Sequence, residues 1–330
     1  MKSENQTGAF CTEAMKPQII LNENLPPEER YLQFGRKTEP TPEIREKAER
    51  KAREIGITPE QPITREQSIA IVRSFLEDQA EFHSLGLEET RRRLQELTPL
   101  TDKEEQEAMT PTKGTESPYQ KRIKVWERKY NPASEQKARA LQILKEIEKL
   151  EAVEAANAHQ RTAAEINEGQ LKGQEDREKV FIGCSDPALL LLSKLRCVGI
   201  PASYVQCISK EWIDQLRNMT EEAQEKELAH NYRGHVLVKV YLPNEASIWV
   251  DPMGRAIQVN DHWERFNPSQ GAWERRSSSL GPYYLVREEI DSTDSAPSTP
   301  KTKKRLKNLI KTAPEAFAPY SNKVLIPPEA

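Results

Sequence analysis

Three residues carry the chemistry that this sequence offers. Cys184 stands at the head of an apolar stretch, in GCSDPALLLLSKLRCVGIPASYV. His235 opens a hydrophobic run, GHVLVKVYL, and Asp251 closes the next one, SIWVDP. A thiol nucleophile, an imidazole base and a carboxylate orienter are the three parts of an activated acyl-transfer centre. Each residue alone has an ordinary reading: a buried cysteine, a structural histidine, a turn aspartate before proline. Their order, with each on a suitable element, is what points to catalysis.

The elements that position them read clearly. Ser185-Asp186-Pro187 is a helix-start pattern, and Pro187–Val198 carries leucines on several faces, so that helix must be buried. Gly199 stops it and Pro201 prevents its return. A helix N-terminus favours thiolate and offers N–H groups to an oxyanion. Asp186 opposes a second negative charge there, so it is expected to cap the helix and face away. Strands are expected at 202–208, 235–241, 248–251, 255–259 and 283–287, with helical or loop insertions at 211–218 and 221–231. His235 and Asp251 share a face only if the strand pairs between them have numbers summing to an even value. That requires an odd-length connection or a bulge.

Composition sets the frame. The 330-residue chain is 31% charged and 36% apolar, with 23 Pro against 13 Gly. One compact domain of about half the length, with polar flanks, is expected. A net charge of −3 argues against bulk attraction to nucleic acid. Four cysteines (Cys11, Cys184, Cys197, Cys207) form neither a C-x-x-C pair nor a common zinc spacing. No cofactor or metal is therefore expected. The first residues lack the apolar core of a signal peptide, and no run of 18 apolar residues occurs, so a cytoplasmic chain without a transmembrane segment is expected.

The flanks divide by composition. Residues 1–40 read as disordered or extended. Residues 41–132 read as a helical region, with a solvated helix from Pro42 to Ile55, a capping box at Thr64 and Gln67, and an αα-hairpin around Gly86. Residues 98–116 read as a linker within it. Residues 133–290 read as the catalytic domain, led by a long helix from Ser134 to about Gly169 that packs one face on the rest of that domain. His83 and His159 are expected at the surface. Residues 291–330 read as a Ser/Thr/Pro-rich tail with a basic run, KTKKRLKNLIK. The helical N-terminal region is a candidate surface for a protein partner.

The central stretch resembles the transglutaminase-like superfamily of papain-type cysteine enzymes. Gly183-Cys184-Ser185-Asp186, with an apolar helix ending RCVGIPASYV, is similar to the nucleophile block. Gly234-His235-Val236 and Trp249-Val250-Asp251-Pro252 are similar to the histidine and aspartate blocks, and the strand at 283–287 falls where the closing strand is expected. The similarity covers about Val180 to Arg287. It implies an α+β fold, with an antiparallel sheet packed on the cysteine-bearing helix and the site between them. It implies a thioester on Cys184, proton transfer by His235 and orientation by Asp251. Ser203 stands where the family has an arginine, neither Gln170 nor Gln174 lies in a recognisable oxyanion block, and the calcium loop and zinc-binding cysteine pairs of some members are absent.

The expected function is thiol-dependent acyl transfer on protein or peptide amides. Water as acceptor makes the chain a protease or deamidase instead. A third reading is a catalytically silent fold that serves as a protein-binding module.

Overall fold

The computed structural model describes residues 25–58, 61–81, 83–109, 117–173, 180–230, 234–243, 247–260, 262–276, 283–293 and 299–312. In chain order the first elements are α1 (Pro27–Arg30), α2 (Pro42–Glu54), α3 (Arg65–Glu77), β1 (His83–Ser84), α4 (Leu87–Leu97) and α5 (Asp102–Met109). Then come α6 (Pro118–Tyr130), α7 (Ser134–Asn157), α8 (Ala163–Glu168), β2 (Val180–Phe181), α9 (Ser185–Cys197) and β3 (Ala202–Ser209). After α10 (Lys210–Arg217) and α11 (Glu221–His230) lie β4 (Gly234–Tyr241), β5 (Ser247–Asp251), β6 (Ala256–Val259), β7 (His262–Asn267), β8 (Ala272–Arg276), β9 (Tyr283–Glu289) and α12 (Pro300–Thr312). The fold is α+β. Seven strands form one antiparallel sheet in the order β8-β7-β6-β5-β4-β3-β9, and β1 pairs with β2 in parallel.

The leucine-rich α9 is the spine of the core. Leu189 to Leu192 and Leu195 are each 0–1% exposed. Fully burying a leucine is worth about 1.5–3 kcal/mol, so this one helix commits the core to its neighbours. One side packs on Val236, Val238, Val240, Ile248 and Val250, which alternate along β4 and β5. The other side packs on α2 and α3. The helix α2 is therefore not solvated all round. Ile44, Ala48 and Ala52 recur every fourth residue and form a narrow buried stripe. Its start is as expected, with Thr41 accepting from the Ile44 N–H at 3.2 Å. Thr64 and Gln67 form the capping box of α3.

Helix ends and packing partners in the N-terminal half differ from the sequence reading. The long helix ends at Asn157, because His159 turns left-handed with φ 58°, and α8 starts afresh after a Thr162 cap. The helix α7 packs chiefly on α4 and α6 rather than on the sheet-bearing core. It joins α4 and α6 in a separate cluster with Leu87, Leu94, Ile123, Trp126, Ile143 and Ile147. Since α3 packs in the main core and α4 in this second one, they do not form the expected hairpin. The expected linker at 98–116 contains α5, which packs on α6. The buried Arg122 guanidinium donates to Thr98 Oγ1 at 2.8 Å and Thr98 O at 2.7 Å, and it pairs with Glu105. Residues 110–116 lie outside the described residues.

The flanks are less loose than their composition suggests. Within the expected disordered segment 1–40, residues 1–24 lie outside the described residues, and residues 25–40 are held in place, in large part by Arg196. This cation near the end of α9 is 4% exposed. It donates to Tyr31 O at 2.9 Å, Thr38 Oγ1 at 2.7 Å, Ala202 O at 2.7 Å and Ile290 O at 2.6 Å. The segment 31–38 is thus a strap over the buried guanidinium. Lys37 N donates to Asp291 Oδ2 at 2.8 Å, and a Cβ on Gly35 would sit 2.3 Å from the same oxygen. At the other end, the basic run of the expected tail folds as α12. Thr302, Leu306 and Leu309 are buried against α10 and β9. His159 is half-buried rather than at the surface, and its carbonyl accepts from Lys37 Nζ. For His83 only the backbone is described, paired in β1.

Candidate functional site

The histidine and the aspartate meet because of strand register. Val238 lies opposite Val250, Lys239 opposite Trp249 and Val240 opposite Ile248. Each pair sums to the same even number, so His235 and Asp251 fall on one face, and the connection between the strands (242–246) has the odd length that the sequence required. His235 Nε2 lies 3.2 Å from Asp251 Oδ1. It sits off the hydrogen-bonding line, so the contact has the distance of an ion pair without the alignment of a good hydrogen bond.

Asp251 is itself held. Its Oδ1 accepts from the Gly254 N–H at 3.0 Å in a tight turn. A Cβ on Gly254 would come within 2.6 Å of Asp251 Oδ2, so only glycine lets the backbone approach this closely. This glycine was legible only as the last residue of Asp251-Pro252-Met253-Gly254, a common turn composition.

Cys184 occupies the N-cap position of α9. Gly183 before it has φ +67°, a left-handed turn that glycine makes without strain. The expected cap by Asp186 is not made. Asp186 is fully buried as the second residue of the helix, where its Oδ2 accepts from the Ile182 N–H at 2.6 Å and pairs with Arg161. Burial lifts the Asp186 carboxyl to about 6, and Arg161 and the Ile182 N–H restrain that rise. Arg161 also donates to Val180 O at 2.7 Å and Gln170 O at 3.1 Å. One guanidinium thereby ties together β2, the cysteine turn and α9. No sequence pattern flagged it.

His235 joins the two halves. Burial alone would push its imidazole down. Contacts with the Asp251 carboxylate and the Cys184 sulfur outweigh that and raise it to about 10. Because Nε2 faces Asp251, Nδ1 is the nitrogen left for the thiol. The Tyr283 ring stacks on His235 with centroids 5.7 Å apart and planes 25° apart. Cys207 lies directly opposite His235 in register and is fully buried. Burial pushes the Cys207 thiol strongly up, with the Cys184 and Asp251 charges adding to it, so Cys207 is an inert wall. Burial likewise raises Tyr283.

The site differs in one respect from the expected sheet–helix interface. By alternation, His235 and Asp251 belong to the face that carries Val205, Cys207, Leu237 and Trp249, opposite the one on which α9 packs. The three residues converge at the end of the strands, where β4 begins, β5 ends and the N-terminus of α9 arrives. Ser203, which stands where the transglutaminase-like pattern has an arginine, donates to Glu288 at 2.7 Å. The Gln170 side chain is engaged by Glu168, and Gln174 lies outside the described residues. Among the described residues no group of histidine, cysteine and carboxylate side chains could hold a metal ion, and no helix is long and apolar enough to cross a membrane. Comparison with family models, curated proteins and solved structures finds no match to this chain.

Proposed function

We propose that the chain is a cysteine acyltransferase or hydrolase with a transglutaminase-like core, acting on protein or peptide amides. The observation that carries this reading is the placement of His235, whose ring lies 3.2 Å from the Asp251 carboxylate and whose charged form is favoured by Asp251 and Cys184 together. An imidazolium beside a thiol is the partner that a nucleophilic thiolate needs. The sulfur adds to the amide carbonyl carbon, and the N–H groups at the start of α9 receive the developing oxyanion. His235 then gives its proton to the departing amine as the C–N bond breaks, leaving a thioester. Water or a second amine attacks that carbonyl and gives up a proton to His235, and the C–S bond breaks to restore Cys184. Cys184 is only partly buried, so water reaches the thioester and hydrolysis competes with amine transfer. A cofactor has no part in this sequence of steps.

The test is mass spectrometry of Cys184 after incubation with glutamine-bearing peptides, alongside competition for iodoacetamide. An acyl adduct on Cys184, absent from Cys184→Ala, and faster alkylation of Cys184 than of Cys197 or Cys207 are expected. Equal alkylation of the three thiols with no adduct would leave a binding module as the better description.

A further inference from the structure

We propose that the outer face of α12 is a docking surface for an acidic polypeptide segment. This inference is independent of the catalytic reading. The helix has the sequence PKTKKRLKNLIKT and contains no acidic residue. Its apolar stripe is consumed inside the fold by Thr302, Leu306 and Leu309. Lys301, Lys303, Lys304, Arg305, Lys307 and Lys311 are all exposed. The helix is rigidly seated. Arg217 donates to Leu309 O at 2.8 Å and to Ile310 O at 2.9 Å at its C-terminal end, and Arg305 donates to Val286 O. Among the described residues, Lys307 alone of these cations has an ion-pair partner, Glu225 at 3.1 Å.

The chemistry of this face selects among anionic partners. A membrane-binding amphipathic helix inserts its apolar side into the lipid, and here that side is already buried in protein. Single-stranded nucleic-acid surfaces combine cations with aromatic platforms on which bases stack, and this helix has no aromatic residue. Its five lysines and one arginine are instead spaced charges that pair with carboxylates along an extended chain without a stacking platform. The whole chain carries a net charge of −3, so the attraction is local to this helix rather than a property of the molecule.

The experiment uses the full chain and fluorescence anisotropy with three probes: a labelled oligoglutamate, a single-stranded RNA of equal charge, and phosphatidylserine vesicles. The oligoglutamate is expected to bind most tightly and to be released by salt. The variant Lys304→Gln/Lys307→Gln/Lys311→Gln, whose changes are all on the exposed side, is expected to bind it about tenfold more weakly with unchanged thermal unfolding. Three outcomes overturn the proposal: no oligoglutamate binding at low salt, equal affinity in the triple variant, or tighter binding of RNA or vesicles than of the peptide.

Discussion

His235 Nε2 and Asp251 Oδ1 lie 3.2 Å apart at the mouth of two paired strands. The contact exists because an odd-length connection brings both side chains to the same face. It is also what holds the imidazole in its charged form against burial.

Removing that charge while keeping the shape is the direct test of the contact. Asp251→Asn is expected to lower the His235 pKa from about 10, read by NMR titration of the ring. A fall in kcat/KM of roughly 10²–10⁴ is expected with it. An unchanged titration would mean that Asp251 does not set the charge of the ring.

The same shift predicts a pH dependence of stability. His235 rises from 6.5 to about 10 on folding, so the folded state binds its proton more tightly than the unfolded state does. The stabilisation is fully present below about 6.5 and is lost as pH rises through about 10. Wild type should therefore exceed His235→Gln in urea midpoint at pH 6, with the gap closing by pH 10. A gap that widened with pH would have the wrong sign for this account.

Gly254→Ala tests orientation without touching a charge. The new methyl would lie 2.6 Å from Asp251 Oδ2, and the carboxylate must swing aside. Activity should fall by about tenfold or more, while stability changes by no more than about 1.5 kcal/mol. Retention of full activity would show that the carboxylate needs no fixed position.

Arg161→Met strands the buried Asp186 carboxylate. A loss of about 3–5 kcal/mol in unfolding free energy is expected. Adding Asp186→Asn should recover part of that loss, because the uncompensated charge is then gone. If the double variant were as unstable as the single one, packing rather than charge would explain the effect.

Arg196→Met takes a donor from four acceptors, of which Tyr31 O and Thr38 Oγ1 keep a second one. At least about 2 kcal/mol of stability should be lost. Proteolysis should then begin between Tyr31 and Thr38, where the strap comes free. Cleavage elsewhere first would show that the strap is held by other means.

The local elements of the central region were readable in the chain, and their long-range partners were not. Leucines on several faces of α9 announced a buried helix, and period-two arithmetic foresaw the register of β4 and β5. Two strands, β7 and β8, escaped notice because HWERFN and AWERR are polar; β8 is the edge strand and β7 the one next to it. The roles of Arg161 and Arg196 were hidden for a different reason. A buried arginine is spelled like a solvated one, and only its acceptors, spread over distant backbone, reveal it. The polar composition of residues 25–40 misled in the same way: hydrogen bonds to the core and a single buried ring, Tyr31 stacked on Tyr241, hold them in place of an apolar run. Tyr283 stacks on His235 from a strand whose position was legible, but nothing in its sequence marked the ring as part of the site.

The bond between Lys37 N and Asp291 spans 254 positions of sequence. During synthesis the strap emerges long before Asp291 and must wait for the residues between them before that anchor exists. Closure of the molecule around Arg196 is thus a late event, and growing chains stalled before Asp291 should remain open to proteases and chaperones at that end.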